Sequence, residues 1–124
     1  MCALTLSDPL TNLQPGVPRS QQITALVDDA GFKFDELADL AGLNHTTIRG
    51  YKSETGSSER LPENLDDLRA ITEAIIRRDQ IETSQIGSWF SQRNRHLGYR
   101  KPIDAIKEPG GFEEVLTAAA EDSH

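Results

Sequence analysis

The sequence is poor in cysteine and lacks long apolar segments. Cysteine occurs once, as Cys2, so no internal disulfide can form. No run of about 18 apolar residues is present, and the N-terminus lacks the basic start and apolar stretch of a secretory signal. These absences predict a protein of the reducing cytoplasm with no membrane association.

Basic residues are scarce compared with acidic ones. The 124 residues include 13 Lys and Arg against 20 Asp and Glu, which gives a formal net charge of −7. Nucleic-acid binders normally contact phosphates through clustered Lys and Arg side chains. Any DNA binding by this chain is therefore expected to be local or to depend on oligomerisation.

The sequence also lacks the motifs of common enzyme classes. No Gly-rich phosphate loop follows a strand pattern, no Gly-x-Ser-x-Gly turn occurs, and Cys2 lies near a terminus without a fixed base. No group of His, Cys and carboxylate residues has the spacing of metal ligands. We therefore expect a protein that is not an enzyme, with no catalytic residues, no metal, no cofactor and no small-molecule substrate.

Apolar residues recur at intervals of three and four, and no strand-like alternation is evident. This spacing predicts amphipathic helices and an all-α fold. Ser20 is the expected N-cap of the first helix. The expected helices run from about 20 to 31, 34 to 41, from near 44 onward, 62 to 78, 84 to 91 and 112 to 119.

Proline, glycine and polar residues divide the chain into three parts. Residues 1–19 contain three prolines and no sustained helical period, which predicts a flexible N-terminal arm. Residues 20–78 are expected to form one small helical domain, and residues 79–124 a second. Each would be marginally stable alone, so a dimer or a partner is expected to support them.

Residues 34–51 have the spacing of two helices joined by a sharp turn, in the sequence FDELADLAGLNHTTIRGY. Ala38 is small enough for a close helix crossing, and Gly42 is expected to have a positive φ. The residues expected to face the core are Leu37, Ala41, Leu43, Ile48 and Tyr51. This combination resembles the Cro/repressor-type helix-turn-helix family, which implies a Cro/repressor-like helix-turn-helix bundle over residues 20–78.

The resemblance implies that the second of these helices contacts DNA. Its candidate DNA-binding residues are Asn44, His45, Thr46, Thr47, Arg49 and Lys52. Residues 20–78, however, carry seven basic and eleven acidic side chains. Gly50 also weakens this helix by up to about 1 kcal/mol relative to Ala. A plain helical corner without DNA contacts is therefore the alternative interpretation.

The last third contains a second set of motifs in the run GSWFSQRNRHLGYRKPIDAIKEPGGFEEVLTAAAED. An aromatic pair is followed by a Leu-Gly turn, a Pro-Ile-Asp helix start and a Gly pair before the final helix. The positions concerned are Trp89, Phe90, Leu97, Gly98, Pro102, Ile103, Asp104, Gly110, Gly111, Val115 and Leu116. The run resembles the toxin-binding domain shared by MbcA, ParS and Xre antitoxins, over about residues 79–120.

That resemblance implies that the partner is a RES-domain toxin, a protein that consumes NAD or transfers a group from NAD. It also implies that the C-terminal region of this chain occludes the active site of the toxin. The candidate toxin-binding residues are Trp89, Phe90, Arg93, Arg95, Arg100, Lys101, Pro102, Asp104, Gly111, Glu114, Glu121 and Asp122. We expect Glu121 and Asp122, or the helix before them, to meet cationic groups that would otherwise hold NAD phosphates. A type II toxin-antitoxin system further implies repression of the operon through operator DNA, and a homodimer or toxin-antitoxin hetero-oligomer.

Other interpretations of the same residues stay open. One alternative is a stand-alone Xre-type transcriptional repressor in which residues 79–124 form only a dimerisation region. A helix-turn-helix scaffold that no longer binds DNA is a further alternative, because the domain is acidic. Trp89 and Phe90 also fit a simple core role, and the charged runs fit solvated faces. The protein encoded next to this chain and the salt dependence of DNA binding distinguish these alternatives.

Overall fold

The computed structural model describes residues 9–14, 16–54 and 60–122. Within these ranges the chain forms eight α-helices and no β-strand, so the predicted all-α fold is confirmed. The helices are α1 (Pro9–Asn12), α2 (Arg19–Thr24), α3 (Phe34–Ala41), α4 (His45–Ser53), α5 (Glu63–Arg77), α6 (Ile86–Ser91), α7 (Pro102–Ala105) and α8 (Gly111–Glu121). A π-helical segment, Ala25–Asp29, continues α2, and 3₁₀ turns cover Thr83–Gln85 and Arg95–Leu97.

Helix α2 begins one residue before the predicted cap. Pro18 occupies the N-cap position with φ −53° and ψ 140°, and Ser20 lies inside the helix, where it is buried. The prediction of Ser20 as N-cap is therefore wrong. Proline suits this position because its φ is fixed near the required value and the helix does not need its missing N–H.

Helices α3 and α4 are joined by the predicted sharp turn. Gly42 adopts φ 73°, and the N–H of Leu43 donates to the carbonyl of Ala38 at 2.9 Å. Leu43 itself is 38% exposed, which contradicts its predicted core position. It lies in the turn rather than on the apolar stripe of either helix, where Leu37 and Ile48 are fully buried.

The long helix α5 lies at the centre of the fold. Its residues Leu65, Leu68, Ile71 and Ile75 are fully buried. Helix α5 contacts α1, α3 and α8, so helices from the N-terminal, middle and C-terminal parts of the chain all pack against it. Full burial of these four aliphatic side chains is favourable by about 1.5–3 kcal/mol each.

Part of the segment predicted to be a flexible arm packs against the core. Leu13 is fully buried, and the guanidinium of Arg69 on α5 donates to its carbonyl at 2.7 Å. Gln14 donates to the carboxylate of Glu73 at 2.9 Å. Residues 9–14 are thus packed in this structure, because a buried Arg needs an acceptor that this segment supplies, and the flexibility of residues 1–19 stays a prediction. Residues 1–8 and 15 of the predicted arm lie outside the described residues.

The C-terminal segment packs directly on the helix-turn-helix segment. The N–H of Gly87 donates to the carbonyl of Ala30 at 2.8 Å, and a Cβ on Gly87 would overlap the backbone at Gly31. The rings of Phe32 and Phe90 lie 5.3 Å apart. The buried residues of both segments thus form one continuous hydrophobic cluster.

Candidate functional site

The predicted DNA-binding residues lie at the start and along the outer face of α4. Asn44 caps the helix, since its Oδ1 accepts from the N–H of Thr47 at 2.9 Å. His45, Thr46 and Arg49 are exposed, whereas Thr47 and Lys52 are half-buried. The side chains that a recognition helix would direct at DNA are thus on one accessible surface.

Acidic side chains lie close to the cations of this surface. His45 Nδ1 lies 3.5 Å from Asp35, and Lys52 Nζ lies 3.5 Å from Asp28. The guanidinium of Arg49 stacks 4.6 Å above the ring of Phe34. The helix-turn-helix surface therefore offers little uncompensated positive charge for phosphate contacts.

The aromatic pair on α6 divides into one core residue and one bridging residue. Phe90 is fully buried between Phe32 and Trp89, so in this conformation it does not reach a partner. Trp89 is half-buried and meets Phe90 edge-on at 85°. Its indole N–H donates to Asp122 at 2.7 Å, which ties α6 to the end of α8.

Asp122 is the centre of a polar network rather than a side chain projecting into solvent. It accepts from Trp89 and, at 2.6 Å, from the amide of Asn94, while His96 Nε2 lies 3.3 Å away. Sequence reasoning missed Asn94 and His96. Their distance from Asp122 along the chain carries no pattern, so only the fold reveals the cluster.

The loop from 94 to 100 closes on itself. The N–H of Asn94 donates to the carbonyl of Arg100 at 3.0 Å, and the N–H of Tyr99 donates to the carbonyl of Asn94 at 2.9 Å. Gly98 and Tyr99 both have positive φ, of 64° and 65°. Tyr99 stands at the tip and is 67% exposed. Sequence reasoning did not select Tyr99, although the Gly-Tyr pair between basic residues was visible as a turn signal.

The basic residues among the predicted toxin-binding positions differ in their surroundings. Arg100 pairs with Glu108 at 2.8 Å and with Glu114 at 2.5 Å, and these two hydrogen bonds raise the pKa of its guanidinium. Arg100 and Glu114 thus link the loop to α8. Arg95 and Lys101 are exposed beside the loop, where they are accessible to a partner.

Three of the predicted toxin-binding residues start or support helices. Pro102 is the first residue of α7 and is buried, and Asp104 lies exposed in the same turn, 3.9 Å from Lys107. Gly111 is buried at the start of α8, where a Cβ would overlap the carbonyl of Ala105. Packing and helix-start chemistry explain these positions in the isolated chain.

An acidic groove runs along the outer face of α8. It is open to solvent and has a volume of about 520 Å³. Its lining residues are His96, Gly110, Glu113, Glu114, Thr117, Ala118 and Glu121. Two of the predicted toxin-binding residues, Glu114 and Glu121, are therefore brought together here, and Asp122 is not among the lining residues.

Within the described ranges, no helix combines the length and the apolar character needed to cross a bilayer. The His, Cys, Asp and Glu side chains in those ranges likewise form no group of three that could hold a metal ion.

The fold is similar to that of a chain from a toxin-antitoxin complex. That chain belongs to the crystal structure of the M. tuberculosis MbcT-MbcA toxin-antitoxin complex, with a TM-score of 0.66 and 19% sequence identity. The likeness covers 83% of this chain and 91% of that chain. No family model matches the sequence, and no curated protein matches it.

Proposed function

We propose that this chain is the antitoxin of a type II toxin-antitoxin system and that it inhibits a RES-domain, NAD-utilising toxin. The observation that carries the proposal is the fold likeness to a toxin-antitoxin complex chain, which covers 83% of the residues. The C-terminal motifs support it independently of the fold. The accessible residues among them include Arg95 in the loop from 94 to 100, Lys101 and Asp104 directly after it, and Glu114 and Glu121 on α8.

The acidic groove of α8 is the element that would block the active site of the toxin. Glu113 and Glu121 present exposed carboxylates along it, and Glu114, which pairs with Arg100, also lines it. A pocket that holds NAD phosphates must offer cations or N–H donors, and carboxylates complement the same groups. Asp122 supports this surface from within the fold, because its Oδ2 accepts from both Trp89 and Asn94.

Co-purification with the protein encoded next to this chain tests the proposal. The partner is assayed for NAD consumption alone and after addition of this chain. We expect a stable complex and suppression of NAD loss, and light scattering then gives its stoichiometry. An adjacent protein that forms no complex would contradict the antitoxin function.

Charge reversal in the groove tests how inhibition occurs. Glu113→Arg together with Glu121→Arg is expected to weaken inhibition at least about tenfold, because buried like charges at an interface cost several kcal/mol. Glu82→Arg is the matched control, since Glu82 is exposed and outside the groove. Truncation after Ala118 is also expected to abolish inhibition. It removes Asp122 as well, so the point variants separate charge from stability.

Repression of the operon through α4 is the second part of the proposal. The exposed Thr46 and Arg49 on a helix capped by Asn44 favour it, and they equally favour the alternative of a stand-alone Xre-type repressor. With so few cations on this surface, log K should fall with log salt at a slope of about −2 per protomer. If Arg49→Ala leaves the binding of upstream DNA unchanged, α4 is excluded as the recognition helix.

A further inference from the structure

An exposed tyrosine occupies a backbone conformation that favours glycine. Tyr99 has φ 65°, and its side chain lies mostly in solvent. Among the described non-glycine residues, only Asp79 shares a positive φ. Aspartate tolerates this region, whereas an aromatic residue there is unfavourable because its Cβ approaches the backbone carbonyl.

The loop holds Tyr99 in this conformation before any partner arrives. Gly98 and Tyr99 form the two central residues of a tight turn, closed by the N–H of Arg100 on the carbonyl of Leu97 at 3.2 Å. Leu97 is buried beneath the turn, and Asn94 fixes its base through Asp122. A rigidly presented aromatic side chain loses little conformational entropy when it binds.

The fold itself does not use the tyrosine side chain. Its hydroxyl makes no hydrogen bond, and its ring no aromatic contact, with any residue in the described ranges. Only its backbone is engaged, since Arg93 donates to its carbonyl at 3.2 Å. A strained backbone whose side chain has no hydrogen-bond or aromatic partner in the described ranges points to a function toward another molecule.

The surroundings of Tyr99 indicate the chemistry of the partner. Positions 92–103 contain no acidic residue, although the whole chain has a net charge of −7. Arg95 and Lys101 are exposed on the two sides of the loop. Tyrosine and arginine are the residues most often found as binding hot spots at protein interfaces.

We infer that Tyr99 is an anchor that inserts into an apolar pocket on the toxin, and that carboxylates on the toxin form the rim of this pocket. The inference rests on the proposed function and adds a second contact of opposite charge to the acidic groove of α8. The basic loop meets acidic groups, while the groove meets cationic groups. Such an interface fixes the orientation of the partner as well as its affinity.

The test compares variants that remove the backbone strain at position 99 with a variant that keeps the aromatic ring there. Tyr99→Gly and Tyr99→Asn both suit the left-handed region, so their Tm should equal or exceed that of the wild type by up to about 5 °C. Their Kd for the toxin should rise at least about tenfold. Tyr99→Phe should bind within about threefold of the wild type. Asp79→Gly is the control at the other described non-glycine position with a positive φ, and it should leave the Kd unchanged.

Each outcome decides a different statement. A wild-type chain that binds no toxin overturns the proposed function, and this partner with it. A wild-type complex whose Kd is unchanged in Tyr99→Gly and Tyr99→Asn overturns the anchor alone. A lower Tm of both Tyr99→Gly and Tyr99→Asn would assign the side chain a structural role and overturn the anchor. Weakened DNA binding or weakened self-association of these variants, with an unchanged Kd for the toxin, would overturn the choice of the toxin as partner.

The rim has its own measurement. Arg95→Glu combined with Lys101→Glu should weaken toxin binding, with the larger loss at low salt, because exposed charges are screened as ionic strength rises. A Kd that is indifferent both to these reversals and to salt would overturn the acidic rim.

Discussion

Asp122, the residue that follows α8, connects three separate parts of the C-terminal segment. Its carboxylate accepts from Trp89 on α6 and from Asn94 at the base of the loop, and His96 lies next to it. Asn94 is itself buried, so its amide depends on this acceptor. The Asp122 side chain therefore links α6 and the loop from 94 to 100 to the end of α8.

Replacing the Asp122 carboxylate should lower the free energy of unfolding of the protein. Asp122→Ala leaves the amide of Asn94 and the indole N–H of Trp89 without their acceptor, and we expect a loss of about 1–3 kcal/mol in the free energy of unfolding. Glu121→Ala, at an exposed neighbouring position, should change it by less than about 0.5 kcal/mol. Urea unfolding followed by circular dichroism measures both. Equal effects of the two variants would contradict the network.

At the scale of single residues, the sequence identified the aromatic pair but not its division of roles. Adjacent residues of a helix point about 100° apart, so one of Trp89 and Phe90 can fill the core while the other reaches a partner, and the sequence leaves a core role for both open. Which one depends on the position of Phe32, contributed by a distant part of the chain. Sequence spacing carries no information on such a contact.

Helix α5 begins with three closely spaced carboxylates, and this arrangement makes its stability depend on pH. Burial raises the pKa of Asp67, and the charges of Glu63 and Asp66 raise it further, whereas Arg69 lowers it. A raised pKa in the folded state means that ionisation of Asp67 opposes folding. The stabilising effect of its protonated form is complete below the unfolded value of 3.8 and is lost as pH rises through the folded pKa.

Neutralising Asp67 should therefore stabilise the protein near neutral pH. Asp67→Asn is expected to raise Tm at pH 7, and its advantage should shrink as the pH is lowered toward 3.8 and below. Thermal unfolding of both proteins across this range measures the difference. An advantage that is independent of pH would show that the carboxylate charge is not its cause.

Two glycines allow helices to approach the backbone of neighbouring segments. A Cβ on Gly87 or on Gly111 would lie closer than 3.0 Å to backbone atoms of Gly31 or Ala105, respectively. Gly87→Ala and Gly111→Ala should each lower the free energy of unfolding by about 1–3 kcal/mol or more. Gly50→Ala is the control, because a Cβ there meets nothing within 4 Å and should stabilise α4 by up to about 1 kcal/mol. Destabilisation by Gly50→Ala would contradict this difference.

At the scale of elements, helices with a clear apolar period and strong ends were predictable. The predicted range of 34–41 coincides with α3, and the predicted range of 62–78 contains α5. Local chemistry determines such ends, including the turn at Gly42 and the Pro before α5. The sequence did not predict three further kinds of element, which are the 3₁₀ turns, the π-helical continuation of α2 and helix α1. Packing against other elements, rather than local sequence, stabilises them.

For the whole molecule, the continuous core predicts that both segments unfold together. Trp89 is the single tryptophan of the chain, so its fluorescence reports on the C-terminal segment alone, whereas far-UV circular dichroism reports on all helices. The two urea unfolding curves should coincide, since a shared core makes unfolding cooperative. Separate midpoints would show that residues 79–124 form an independent domain.

The sequence by itself determined the helical class, the helix-turn-helix, the acidic balance and the order of the C-terminal motifs. These follow from periodicity, turn residues and charge, which act between near neighbours. Only the tertiary structure decided that Leu13 and Phe90 are core, that Asp122 is engaged and that Tyr99 stands exposed on a braced loop. Those facts depend on contacts between residues far apart in sequence, where burial and hydrogen-bond satisfaction, rather than local propensity, select the arrangement.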